Sequence, residues 1–198
     1  MADNDIKIYT KGTDLSSTAN LSTVFEAINL HRANGNLEKA KLLGQKLATI
    51  TPESEKSGLS IDFTNILPQR YLSQDIMYQI KVLLIFAAES LLQVEIPVPQ
   101  LATTAINALY DSLRETSPGF FKNISDGAAF TFYYLAMKKG GNITENIGKA
   151  FSMLCSVSKN NDGCIAAGET VWNIAVDLIE KEIKNAGFAD IPEIEKTK

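Results

Sequence analysis

The stretch Ser73-QDIMYQIKVLLIFAAESLLQ-Val94 decides the architecture. Within it Ile76, Met77, Ile80, Leu83, Leu84, Ala87, Leu91 and Leu92 recur at helical spacing and wrap more than half the circumference of a helix. A helix apolar over so wide an arc needs neighbours on most sides, so 73–94 is expected at the centre of a helical assembly. Its most apolar part, Val82 to Ala88, is bounded by Lys81 and Glu89 and is far too short to span a bilayer, which marks it as buried helix.

Working outward, Val24, Ala27, Ile28 and His31 repeat at helical spacing, Thr23 and Glu26 make a capping box, and Asn34-Gly35 supplies a stop, predicting a helix over 21–34. Asn36 then reads as the N-cap of a second helix, 36–51, with Leu37, Ala40, Leu43, Leu47 and Ile50 on its apolar face and Pro52 as terminator. Residues 52–60 are polar and breaker-rich and form the longest connection. Beyond the central helix, Pro97 and Pro99 break the chain, and Pro99 suits the first turn of a helix over 100–115. Ser117-Pro118-Gly119 ends that helix and starts one short turn through Phe121. Helices over 125–139, 143–158 and 162–186 follow, punctuated by Gly140-Gly141, Asn160-Asn161 and Gly187.

Seven helices with short links, and no run of alternating β-branched residues, predict an all-α bundle or array. The expected organisation is an irregular arm over 1–20, one helical domain over 21–187 and a polar tail over 188–198, since 198 residues with 45% hydrophobic content can bury one sizeable core. Small residues recur on the apolar faces, among them Gly44, Ala87, Ala128, Gly148, Ala167 and Gly168. A glycine inside a helix costs about 1 kcal/mol against alanine, so close helix-to-helix approach is expected to offset it.

A formal net charge of −4, with 19 Lys and Arg scattered singly or in short pairs such as Lys138 and Lys139, argues against nucleic acid or an anionic membrane as a partner. The acidic start, Met1-Ala-Asp-Asn-Asp, carries no basic patch followed by an apolar run, so a cytoplasmic location is expected. Cys155 and Cys164 form no C-x-x-C pair and suggest no disulfide framework, in keeping with a reducing compartment.

The run Gly35-Asn36-Leu37-Glu38-Lys39-Ala40, with Lys46-Leu47 and Pro52, resembles the second half of a tetratricopeptide repeat: a turn, a small alanine facing the partner helix and a closing proline. The first half departs from the motif, with Val24, Ile28 and His31 where Trp, Gly or Ala, and Tyr are usual. The resemblance implies a helical hairpin over about 22–52. The residues from Ser158 to Glu169 resemble an EF-hand calcium loop, with oxygen-bearing Ser158, Asn160 and Asp162 at positions 1, 3 and 5, Gly163 at 6, Ile165 at 8 and Glu169 at 12. That resemblance implies a calcium site built from Ser158, Asn160, Asp162, Cys164 and Glu169. Ser158 stands where the family has Asp, Ala166 occupies position 9, and no second loop is found; the other reading is a helix-to-helix turn in which Asp162 caps the last helix.

His31 is the one histidine, so paired-histidine metal sites are excluded, and its place on the first helix reads as structural. Ser156-Val-Ser-Lys159 matches S-x-x-K without its companion motifs, and no G-x-S-x-G, Walker loop or dinucleotide fingerprint occurs. No catalytic residue and no cofactor is therefore assigned.

Aromatic side chains concentrate at Phe120, Phe121, Phe130, Phe132, Tyr133 and Tyr134, more than one helix face can bury. Core packing is expected for Phe130 and for Tyr133 or Tyr134. The contact-surface candidates are Phe120, Phe121, Phe132, Tyr133 and Tyr134. The resulting expectation is a non-enzymatic helical interaction module that binds another protein or its own copy. The alternatives are a small-ligand or enzymatic pocket near the aromatic cluster, using residues such as Tyr133, Glu89 or Lys138, and a calcium-binding regulator through 158–169.

Overall fold

The computed structural model describes residues 18–52, 59–155 and 162–190. Eight helices lie among them: α1 (Thr18–Ala33), α2 (Asn36–Ala48), α3 (Gln74–Glu95), α4 (Pro99–Thr116), α5 (Pro118–Asp126), α6 (Ala129–Lys138), α7 (Ile143–Leu154) and α8 (Asp162–Ala186). The wide apolar arc of α3 has the predicted consequence. All of Val82 to Ala88 is buried, and α3 packs against α2, α4, α6, α7 and α8. Each of those helices brings one apolar stripe, so their faces close around α3 into one hydrophobic cluster. Among the described residues no helix is long and apolar enough to cross a membrane.

Small residues bring the outer helices close. α2 lies on α4 more extensively than any other pair, and a Cβ at Gly44 would stand 2.0 Å from the Ala105 carbonyl oxygen. On the other side of the bundle, α7 and α8 approach through Gly148, whose Cβ would lie 2.7 Å from the Ile165 carbonyl oxygen, and Gly168, whose Cβ would lie 2.7 Å from Phe151 Cβ. The helix-breaking cost of each glycine is met by a close approach that a larger residue would obstruct, to backbone at Gly44 and Gly148 and to the Phe151 side chain at Gly168.

Several boundaries differ from expectation, each for a local reason. α1 spans Thr18–Ala33, so Thr23 and Glu26, expected at its start, lie within the helix. The short turn expected through Phe121 is a full helix, α5, opened by Pro118 and running to Asp126, and the helix expected over 125–139 is cut back to α6 because Gly127, in extended geometry (φ −88°, ψ 156°), separates the two. α2 ends at Ala48, three residues before the expected limit, because Thr51 turns to bond residues beyond the connection: its N–H donates to Leu59 O (2.9 Å) and its carbonyl accepts from Ile61 N (3.0 Å). α7 ends at Leu154, with Cys155 as C-cap; the rest of its expected span lies outside the described residues.

Asn36 is not the N-cap of α2. Gly35, at φ 78°, takes that position, and Asn36 is fully buried as the first helical residue. Its side chain instead grips the chain after α8: Nδ2 donates to Ala189 O (2.7 Å) and Oδ1 accepts from Ala189 N (2.8 Å). That pairing orients the amide, so Nδ2 also donates to His31 Nδ1 at 3.1 Å and His31 is a neutral acceptor. Burial holds the His31 pKa below its ordinary value, in the same direction. Lys39 Nζ donates to Gly187 O (2.6 Å) and Lys46 pairs with Glu182 (2.5 Å), so one face of α2 clasps the end of α8. α1 meets α2 far less extensively than α4 does, since α4 lies along the apolar face of α2.

Candidate functional site

Helix α6 carries the sequence AFTFYYLAMK and is too apolar for one buried stripe. It runs between α3 and α7, and the turn to α7 is made by Gly140 and Gly141, both at φ 79°. Asn142 then caps α7, its side chain accepting from Glu145 N at 3.3 Å, and Asn146 Nδ2 braces the turn by donating to Gly140 O (2.8 Å).

This placement divides the aromatic candidates four ways. Tyr133, expected on a contact surface, is 0% exposed: it points into the core and stacks on Phe86 at 5.2 Å between centroids. Its hydroxyl meets no hydrogen-bond partner among the described residues, and burial, with the Cys155 and Cys164 thiols nearby, pushes its pKa well up. Phe120 and Phe121 sit on α5, partly buried. Phe120 lies edge-on to Tyr78 (5.7 Å) with Lys81 Nζ 4.8 Å from its ring centre, and Phe121 packs on Tyr110 (6.1 Å) and Arg114 (4.9 Å). Phe132 and Tyr134 are exposed, at 43% and 54%, but on opposite sides of α6. The five residues do not form one patch.

Phe132 lines a groove of about 470 Å³ between α6 and α7. Leu135 and Met153, 59% and 68% exposed, join it there, and Ala136 and Ala150 lie between them as a low floor. Lys138, Lys139 and Lys149 border the same groove. Lys149 pairs with Glu145 along α7, and that pairing holds the Glu145 carboxyl below the usual range, so the border keeps a positive balance on a chain whose net charge is −4. Leu135, Met153 and Lys149 escaped sequence reading because they come together from two helices.

Tyr134 lines a second cleft, about 280 Å³, between α6 and α3, together with Phe86, Phe130, Glu89 and Gln93. Phe130 stands edge-on to Phe86 at 5.5 Å. Glu89 is half-buried beside them and accepts a hydrogen bond from Tyr110 Oη of α4 at 2.5 Å. Burial raises the Glu89 pKa, and the Tyr110 hydrogen bond pulls against that rise; Tyr110 itself is held far above its ordinary range by burial and by the Glu89 charge.

The folded state therefore holds the Glu89 proton more tightly than the unfolded chain. This stabilisation is complete below the ordinary glutamate range and is lost as pH rises through the raised value. Glu89→Gln keeps an acceptor for Tyr110 without the charge. Thermal melts should find the variant no more stable than wild type near pH ~4 and more stable by pH ~8. Parallel melting curves at all pH values would contradict the assignment.

Of the calcium-loop residues, Ser158 and Asn160 lie outside the described residues. Asp162, Gly163 and Cys164 are in the first turn of α8, where Gly163 is helical with its backbone against the Tyr71 hydroxyl, and Cys164 faces the core. Among the described residues no group of three or more His, Cys, Asp or Glu is placed to hold a metal ion. The two cysteines, unrelated in sequence spacing, are neighbours: the Cys155 thiol is hydrogen-bonded with Cys164, and burial pushes its pKa up.

Fold and clefts define the class: an all-α, multi-helix domain with two shallow recesses flanking α6. Comparison with protein-family models, with curated proteins and with solved structures finds no match.

Proposed function

We propose that this chain is a non-enzymatic helical interaction module, and that the groove between α6 and α7 takes an acidic amphipathic helix of a partner protein. The observation that carries the reading is the row Phe132, Leu135 and Met153, exposed over the Ala136 and Ala150 floor and bordered by three lysines. Large apolar side chains grouped at a surface mark places where another molecule excludes water. The small floor lets a helix axis approach closely, and side chains at three- and four-residue spacing then meet the row. Lys138, Lys139 and Lys149 favour glutamates and aspartates on the flanks of that helix. They also favour it over a second copy of this chain on the same face, since two-fold pairing would bring lysine borders together.

A fluorescent, glutamate-flanked amphipathic peptide should raise its anisotropy on binding, and the affinity should fall with salt. The double variant Leu135→Glu/Met153→Glu should melt within a few degrees of wild type, because both side chains are already solvated, while weakening the peptide at least roughly a hundredfold. A lysine-flanked peptide that binds equally well, or a double variant that binds like wild type, would overturn the reading.

A further inference from the structure

The cleft between α3 and α6 contains a carboxylate with no counter-cation. Glu89 is half-buried beside Phe86, Phe130 and Tyr134, and among the described residues no lysine, arginine or histidine pairs with it; its partner is the neutral Tyr110 hydroxyl. A carboxylate in such a setting carries an uncompensated desolvation cost, which a cation entering the cleft would relieve. The ring walls add a second attraction, because aromatic faces are electron-rich and draw positive charge. Tyr134 already does so on its own helix, with Lys138 Nζ 5.3 Å from its ring centre. Lys138 itself lines the other groove, with α7.

We infer that this cleft binds an alkylammonium ion, with Glu89 as counter-charge and Phe86, Phe130 and Tyr134 as apolar, electron-rich walls. The chemistry selects that class over others. A calcium or magnesium ion needs about six oxygen ligands, whereas one carboxylate among rings supplies few. Anions are repelled by Glu89, and a neutral apolar ligand would leave its charge unanswered. About 280 Å³ suits a small organic cation. Tyr110 contributes as a positioning residue: its hydrogen bond holds Glu89 Oε2 and so sets the carboxylate orientation. The inference is independent of the α6–α7 groove and of its partner.

The test uses the full chain, choline as the charged probe and 3,3-dimethylbutan-1-ol as its uncharged carbon analogue, followed by amide NMR shifts. Choline should produce saturable shifts centred on residues 86–93 and 130–134, and the alcohol should bind at least about tenfold more weakly. Glu89→Gln should weaken choline by about tenfold or more and leave the alcohol unchanged. Tyr134→Leu, at an exposed position that tolerates replacement, should weaken choline several-fold and serves if the glutamine variant folds poorly. Equal binding of the two probes, unchanged affinity in both variants, shifts mapping elsewhere, or no saturable shifts with choline would each overturn the proposal.

Discussion

Leu84→Asp should abolish the cooperative thermal transition followed by circular dichroism. Leu84 is fully buried at the middle of α3, with every residue from Val82 to Ala88 buried around it. An aspartate there loses the leucine packing and puts a carboxyl among aliphatic neighbours, at a combined cost of roughly 5 kcal/mol or more. Domains of this kind have about 5–15 kcal/mol of stability in total, so the variant is expected to be largely unfolded or molten at room temperature. Near-ultraviolet signals from Trp172, which packs 6.3 Å from Phe86 of α3, should vanish first. A cooperative melt close to that of wild type would refute α3 as the central helix.

Gly44→Ala should destabilise strongly, against the sign that helix propensity assigns. Alanine in a helix interior is favoured over glycine by about 1 kcal/mol. At Gly44, however, the added methyl would stand 2.0 Å from Ala105 O and 3.0 Å from Ala108 Cβ, and the first of these is backbone that cannot rotate away. α2 and α4 must separate along their most extensive contact, and the net loss is expected at roughly 2–4 kcal/mol. Gly119→Ala, in α5 with nothing within 4 Å of its Cβ, supplies the contrast: a gain of up to about 1 kcal/mol. Urea titration of the two variants measures both signs. If Gly44→Ala were stabilising, the close approach of α2 and α4 would be wrong.

Much of the architecture is legible in single residues. The apolar arc of 73–94 requires a surrounded helix because no other arrangement hides it, and Pro99 starts α4 because its fixed φ and missing N–H suit a first turn. Gly44, Gly148 and Gly168 signal close approach before any partner is known, since a glycine inside a helix needs an offsetting reason. The α5–α6 break is less legible. Asp126-Gly127-Ala128 is a modest stop, so the helix expected over 125–139 runs across it, and the helical turns before it read as no more than one short turn.

What the sequence by itself determined is seven of the eight helices, their approximate limits and which of them must be central, because periodicity, capping and steric restriction act within one turn of the chain. Tertiary structure decided the rest. Asn36 has the chemistry of a cap, yet Ala189, 153 residues away, takes its amide, a competition no local pattern displays. Tyr133 and Tyr134 are adjacent and alike, but the rotation of α6 against α3 and α7 sends one into the core and the other to the cleft beside Glu89. Cys155 and Cys164 become neighbours only when α7 and α8 pack. Both recesses flanking α6 are lined from two helices, so their apolar, basic and acidic members are dispersed along the chain and acquire a common environment only through packing.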